Sequence, residues 1–267
     1  MDYPSGNKWE IEPFRFHDLK KHLFTWQEEM EKGGGWNALF WCNHDQPRIV
    51  SRIGNEKEYR VKSAKCLATA IHGLKGTPYI YQGEEIGMTN AGYTSIDEYM
   101  DIESLNYYNI LKLQGKGEEE VIRILGAKSR DNSRTPMQWD ASENAGFTKG
   151  TPWPKVCDRY KEINTESRHE PDSVFQYYKE LVKLRKELPV IQKGAVTPLL
   201  REDKEILAYK REYQGKELYV FCNFFDGEVK VPYSIPEDCK SILSNYGEEI
   251  SPKELVLRPY EAVMFLR

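Results

Sequence analysis

The run Trp36-Asn37-Ala38-Leu39-Phe40-Trp41-Cys42, followed without a break by Asn43-His44-Asp45-Gln46-Pro47-Arg48, constrains this chain more than any other feature. A continuous apolar run that ends in polar groups predicts a strand buried on both faces. His, Asp and Arg arriving together at its carboxyl end predict a polar cluster delivered into a cleft, which is where barrel enzymes hold their chemistry.

The flanking segments support a parallel sheet. From Phe14 to Met30, the residues Phe14, Leu19, Leu23, Phe24 and Trp26 recur at helical spacing, and Gly33-Gly34-Gly35 stops that helix ahead of the strand. From Glu58 to Leu74, Val61, Ala64, Leu67, Ala68 and Ile71 mark a second helix, closed by Gly76. Thr77-Pro78-Tyr79-Ile80-Tyr81-Gln82-Gly83 then reads as a second buried strand. Strand, helix and strand at this spacing form a crossover that demands parallel strands with a right-handed connection.

Residues 84–171 break the rhythm, with helical patches only near Glu103 to Leu113 and Glu118 to Lys128, so they predict a long excursion of the kind that forms lids or small subdomains. A further helix is expected from Asp172 to Leu188, with Asp172-Ser173 as its cap and Pro189 as its stop. Beyond it, Ile206 to Arg211, Leu218 to Phe225, Glu228 to Val231, Ser241 to Leu243 and Ala262 to Leu266 are short apolar or alternating runs. Gln214-Gly215 and Asp226-Gly227 separate them as turns, which predicts an antiparallel β-sandwich over 189–267. Residues 1–188 would form the α/β part.

Charge and composition narrow the function. Lys and Arg number 38 against 42 Asp and Glu, with no long run of one sign, so nucleic acid and anionic membranes are not expected partners. No apolar stretch approaches the ~18 residues of a membrane span, and the opening Met-Asp-Tyr-Pro-Ser-Gly lacks the features of a signal peptide, so a cytoplasmic protein is expected. The five cysteines, Cys42, Cys66, Cys157, Cys222 and Cys239, are widely spaced with no C-x-x-C pair, which argues against a disulfide framework or a zinc site. Cys42 stands beside the expected cleft.

Three blocks carry a resemblance: WNALFWCNHDQPRIVSR at 36–52, TPYIYQGEEIGM at 77–88 and KSRDNSRTPMQWD at 128–140. In this order they resemble the α-glucosidase branch of the α-amylase superfamily (glycoside hydrolase family 13), and most of all its members that hydrolyse trehalose 6-phosphate. The similarity runs from Asp2 through Leu257-Arg258-Pro259-Tyr260-Glu261-Ala262-Val263. It implies the C-terminal portion of a (β/α)8 barrel followed by an all-β domain.

The resemblance also implies roles. Retaining glycoside hydrolysis needs a carboxylate nucleophile and a protonated carboxylic acid roughly 5 Å apart, and a third acid and a histidine can grip the sugar in the distorted transition state. Asp45 would be that third carboxylate, His44 would bond to ring hydroxyls, and Arg130 and Arg134 would point into the substrate pocket. Arg48 would organise the loop. From outside the site, Gln82 and Glu84 at the end of the second strand would stabilise the loop, and Asp101 and Glu103 in the excursion, with Asn106, would shape the leaving-group side. The motifs carrying the nucleophile Asp, its companion Arg and the acid/base Glu would lie upstream of Met1, so the chain alone is expected to be inactive. With two strands of eight it is also expected to be unstable or to associate, with the rest of the barrel as a partner. No cofactor or metal is implied. Two rivals share the residues: an oligo-1,6-glucosidase or another α-glucosidase, and a non-catalytic barrel relative, such as a binding or transporter-associated subunit or a truncated product.

Overall fold

The computed structural model describes residues 5–267; the opening Met1-Asp2-Tyr3-Pro4 lies outside them. Helix α1 (Phe16–Gly33) buries Phe16, Leu19, Lys20, Phe24 and Gln27, and stops where Gly34 turns left-handed at φ 67° and its N–H reaches the Glu31 carbonyl. Strand β1 (Ala38–Leu39), helix α2 (Ile49–Ile53), helix α3 (Arg60–His72) and strand β2 (Thr77–Pro78) follow. The strands pair in parallel, Ala38 with Thr77 and Leu39 with Pro78, as the crossover requires.

The first strand is shorter and more one-sided than its composition suggests. Asn37, Leu39, Trp41 and Cys42 are buried, whereas Trp36, Ala38 and Phe40 are exposed. The expectation of burial on both faces is therefore corrected. A parallel strand is covered on both faces only inside a larger sheet, and among the described residues β1 pairs with β2 alone. Tyr79 and Ile80 beside β2 are exposed for the same reason.

The excursion holds α4 (Ile102–Leu113), α5 (Glu118–Lys128) and the single turn α6 (Asp131–Arg134). Leu111, Val121, Ile124 and Leu125 close a small core of their own, against which Trp9 packs while stacking on Tyr107 at 4.8 Å. Ser173 caps α7 (Val174–Glu187) by accepting the Gln176 N–H at 3.2 Å. Pro189 not only ends that helix but opens α8 (Pro189–Lys193), since a proline in the first turn loses no helical hydrogen bond.

The remaining chain forms β3 (Ala195–Leu199), β4 (Ile206–Tyr213), β5 (Lys216–Asn223), β6 (Val229–Lys230), β7 (Lys240–Ser244), β8 (Val256–Leu257) and β9 (Ala262–Leu266). Five make an antiparallel sheet in the order β3-β4-β5-β9-β7, and β6 pairs with β8. The turn Gln214-Gly215 joins β4 to β5 with both residues at positive φ, 50° and 77°, the twist that a two-residue hairpin favours. Strand β3 has no clear sequence signal because Pro198 interrupts it; it lies at the sheet edge, where proline is tolerated.

Alternation along the central strands gives the sheet two apolar faces. Ile206, Ala208, Tyr219, Phe221, Val263 and Phe265 face a core closed by Val231, Ile235 and Leu257. Leu207, Tyr209, Leu218, Val220, Cys222 and Met264 face the other way and merge into one core with α1, β1, α3 and α7. The strand pair is thus held from behind by the antiparallel sheet.

Three cations, Lys20 and Arg211 buried and Arg185 partly so, stitch the seam. Lys20 of α1 donates to the carbonyls of Leu200, Asp203 and Ile206 at 2.5, 2.8 and 2.9 Å. Burial pulls its pKa down to about 8, still above neutrality, so the amine keeps three protons for three acceptors. Arg211 of β4 donates to the Gly73 and Gly194 carbonyls, and Arg185 of α7 to those of His72, Leu74 and Gly76. Tyr209 reaches the Ala70 carbonyl at 3.0 Å, and a Cβ at Gly73 would stand 2.2 Å from its hydroxyl oxygen, so that position needs glycine.

Lys20→Met keeps the apolar stem but strands three carbonyls at the seam. It is expected to cost roughly 3 kcal/mol of stability, read as a lowered urea midpoint with an unchanged slope. A loss below about 0.5 kcal/mol would show that these bonds are replaced by water.

Candidate active site

The loop leaving β1 turns at once. Asn43 accepts the Asp45 N–H on its side-chain oxygen at 2.8 Å, which fixes the backbone of the His-Asp pair. The Asp45 carboxylate is half-exposed and held between cations. Arg134 Nη2 lies 2.9 Å from its Oδ1 and Arg130 Nη1 3.6 Å away, while His44 Nε2 lies 3.2 Å from Oδ2. Arg134 also donates from Nε to the His44 carbonyl at 2.9 Å, so one guanidinium fixes both residues of the pair.

Arg130 is gripped from its other side. Asp101, buried at the start of α4, takes Nε at 2.5 Å and Nη2 at 2.8 Å in a two-pronged pair, and Arg134 Nη1 lies 3.5 Å from the same carboxylate. Burial alone would raise the pKa of Asp101. The Arg130 hydrogen bond, the Glu103 N–H and the two arginine charges outweigh it and hold the carboxyl below its ordinary value. Glu103 lies 3.2 Å from Arg130 Nε and is bonded to Lys8. The cluster therefore brings together His44, Asp45, Asp101, Glu103, Arg130 and Arg134. Asn106, also in α4, makes no hydrogen bond to the cluster among the described residues.

Arg48, Gln82 and Glu84 lie outside that cluster. Arg48 is fully buried over the Tyr81 ring, donating to the carbonyls of Gln82 at 2.6 Å and Asn132 at 3.3 Å, and its own N–H bonds to Asn90. Gln82 takes part through its backbone carbonyl. Glu84 corrects an expectation: Gly83 at φ 87° turns the chain inward, and Glu84 is buried against Tyr178 of α7, whose hydroxyl donates at 2.8 Å. Burial raises its pKa to about 7. Cys42 is buried too, with its thiol pushed up to about 12 by burial, and all five cysteines are free. That thiol is inert at neutral pH.

Asp131 is the residue that sequence reasoning did not single out. It is buried between the two arginines and accepts the N–H groups of Met100 and Asp101 and the hydroxyls of Ser104 and Ser129 at 2.9–3.3 Å. It holds Asp101, which holds Arg130. Its sequence signal is slight: an acid set between Arg130 and Arg134 and followed by Asn132 and Ser133, which are buried with it. Among the described residues, no group of three or more His, Cys, Asp or Glu is placed to hold a metal ion. No helix among them is long and apolar enough to cross a membrane.

Comparisons with known proteins give the family. The model of the α-amylase catalytic domain matches residues 1–194. The chain belongs to the α-amylase family. It is 49% identical to trehalose-6-phosphate hydrolase of Bacillus subtilis, over 99% of this chain and 48% of the relative. It is 48% identical to oligo-1,6-glucosidase of Halalkalibacterium halodurans, over 100% of this chain and 48% of the relative. A crystal structure of trehalose-6-phosphate hydrolase from Bacillus licheniformis superimposes with a TM-score of 0.95 at 53% identity, covering 99% of this chain and 49% of that one. Isomaltulose synthase of Erwinia rhapontici gives 0.87 at 36%, over 97% and 47%. The chain spans about half the length of the curated relatives it matches. Its α/β segment is part of an α-amylase barrel, unclosed, followed by antiparallel sheet.

Two outcomes follow. Asp131→Asn puts an amide where four donors converge and is expected to cost about 1–3 kcal/mol in urea unfolding; an unchanged midpoint would remove Asp131 from the support of the cluster. Glu84 is favoured in its neutral form by the fold, so its contribution is present below about pH 4.5 and fades as pH rises through about 7. Wild type minus Glu84→Gln should therefore lose roughly 3 kcal/mol between pH 4 and pH 8, and a flat difference would place the carboxylate in contact with water.

Proposed function

We propose that this chain is the sugar-gripping part of a retaining α-glucosidase whose substrate is trehalose 6-phosphate, hydrolysed to glucose and glucose 6-phosphate. The observation that carries the reading is the Asp45 carboxylate, half-exposed at the end of β1, with Arg134 on one oxygen and His44 beside the other. A carboxylate so placed is anchored, so it stabilises positive charge growing on a sugar ring without reorganising. The His44 side chain is largely exposed, open to a hydroxyl. Arg130 and Arg134 close its protein side.

Neither a nucleophile nor an acid/base partner is assigned among these residues. The pair needs carboxyl groups roughly 5 Å apart across the scissile bond. Asp45, Asp101 and Glu103 are all engaged with cations, and Glu84 faces α7. Those two reagents belong to the half of the barrel that the relatives carry beyond the matched length, and the chain alone is inactive in this reading. The division into a barrel segment, 1–188, and a sheet domain, 189–267, belongs to the same proposal. So does a cytoplasmic setting, which five free cysteines support.

Oligo-1,6-glucosidase activity is the second reading, favoured by a relative of nearly equal identity. One chimera separates the two: this sequence replaces the matching half of the Bacillus subtilis trehalose-6-phosphate hydrolase and is assayed on trehalose 6-phosphate and on isomaltose. The expected result is preference for the phosphorylated sugar and a kcat lowered by about 10²–10³-fold in Asp45→Asn. Preference for isomaltose selects the second reading, and an Asp45→Asn chimera as active as its parent rejects the role of Asp45.

A further inference from the structure

Glu84 does not reach the polar cluster, yet its turn is tied to both ends of the loop that carries His44 and Asp45. At the first end, Cys42 accepts the Ile49 N–H on Sγ at 3.3 Å, which closes residues 43–48 at their base. At the second, Arg48 donates from Nη1 to the Gln82 carbonyl at 2.6 Å. Gln82 leads into Gly83 and Glu84, and the Glu84 N–H returns to the Tyr81 carbonyl at 2.9 Å. A side chain at Gly83 would crowd Met88 and stand 3.2 Å from Arg48 Nη1, so the turn lies close against the loop.

The carboxyl of this turn faces the first tie. Glu84 is buried, with Tyr178 of α7 donating to Oε1 at 2.8 Å. The Cys42 thiol lies within reach of the same carboxyl, and each group alters the other's titration. Oε2 is buried with no hydrogen-bond partner. A carboxyl group in that setting is favoured in its neutral form. As a carboxylate it holds a desolvated charge with one oxygen uncompensated.

The other ionisable groups packed around it do not supply that compensation. His72 of α3 meets the Tyr178 ring edge-on at 5.3 Å, and burial with the neighbouring Arg185 charge lowers its pKa to about 4, so it is uncharged near neutrality. Burial holds Tyr178 and Cys42 neutral. Glu85, next on the turn, has the same sign, and burial raises its pKa as well. Tyr81 gives its hydroxyl to the Ser133 carbonyl at 2.9 Å. Arg48 and Arg52 face Cys42, and Arg48 bonds from Nη1 and Nε to the Gln82 and Asn132 carbonyls. Among the described residues no cation bonds to the Glu84 carboxyl.

We propose that Glu84 is a positioning residue for the His44-Asp45 pair: its neutral form holds the base of their loop, and its ionised form releases it. Ionisation is relieved by drawing water or a donor toward Oε2, which displaces the turn. The turn carries the Gln82 carbonyl that holds Arg48, and Cys42 carries the sulfur that holds Ile49, so both ties slacken together. Asp45 stabilises charge in a transition state only while it is held in place, so the loss falls on kcat and leaves KM little changed. Burial raises the Glu84 pKa to about 7, against the smaller opposing pull of Tyr178 and Cys42. The tight form therefore prevails below neutrality and fades as pH rises through about 7. The effect on catalysis rests on the sugar-gripping reading of Asp45; the effect on the loop does not.

The test uses the chimera with the Bacillus subtilis relative as parent, Glu84→Gln and Tyr178→Phe. Glutamine imitates the neutral carboxyl at every pH, so the ratio of variant to parent kcat should rise about tenfold between pH 6 and pH 8. An acid/base group on the other half titrates in both proteins and cancels in that ratio. Tyr178→Phe removes a donor that favours the ionised form, so it should move the parent's alkaline loss to higher pH, which a merely structural defect would not do. Hydrogen exchange across residues 42–52 reads the loop without any sugar: corrected for the intrinsic rate, protection of the Ile49 N–H should drop above neutrality in the parent and persist in Glu84→Gln. A kcat ratio that is flat with pH, an unshifted Tyr178→Phe profile, parent protection unchanged from pH 6 to pH 8, or a Glu84→Gln chimera that does not fold would each overturn the proposal. The expected change in protection in a chimera that cleaves neither sugar upholds the hold of Glu84 on the loop and removes the proposed substrate.

Discussion

The covering of one sheet face decides the rest of this structure. Strands β4, β5 and β9 alternate so that both faces of their sheet are apolar, and one face needs a lid that no part of the C-terminal strands supplies. Helix α3 is that lid, buried along almost its whole length from Ser63 to His72. Because α3 is also the crossover between β1 and β2, fixing it fixes the parallel pair. The loop after β1 then has one place to go, and His44 and Asp45 arrive there. The hydrophobic term in this packing is non-directional; direction comes from Lys20, Arg185 and Arg211, each of which spends its donors on backbone carbonyls at the seam.

Much of this was legible in order and type, because helical spacing from Phe14 to Met30 and from Glu58 to Leu74 and alternation in the later strands are local patterns. The relation between the two halves was not. Nothing in the periodicity of Leu207, Tyr209 and Arg211 states that they face Ala70 and Gly73, about 140 residues earlier. The same non-locality explains Trp36-to-Cys42: composition measures how apolar a strand is, whereas burial depends on which neighbours it meets, and among the described residues β1 pairs with one strand. Glu84, expected to support the site from the end of the second strand, lies away from it for a related reason: Gly83 takes a left-handed conformation and the carboxylate meets Tyr178, 94 residues later.

In the polar cluster, identity was legible and hierarchy was not. His44, Asp45, Arg130 and Arg134 stand out by type, yet their positions are set by Asp101 and, behind it, Asp131. A carboxylate such as Asp131, met by backbone N–H groups and serine hydroxyls and no cation, is inconspicuous in sequence because its partners are chemically ordinary. Its effect is to make the start of α4 a rigid shelf. The Asp101 carboxylate on that shelf can then hold Arg130 in a planar two-pronged pair, which a mobile acid would not sustain.

This arrangement separates two tasks within one segment. The strand end supplies Asp45 and His44, whose backbone Asn43 and Arg134 pin. The excursion supplies the arginines and their acidic supports, and its own core of Leu111, Val121, Ile124 and Leu125 is distinct from the core beneath the strands. Changes within the excursion can therefore alter which charges surround Asp45 without disturbing the strand that carries it. An arginine clamp fed by a separate small core is a means by which one barrel scaffold can keep a fixed His-Asp pair while varying what lies around it.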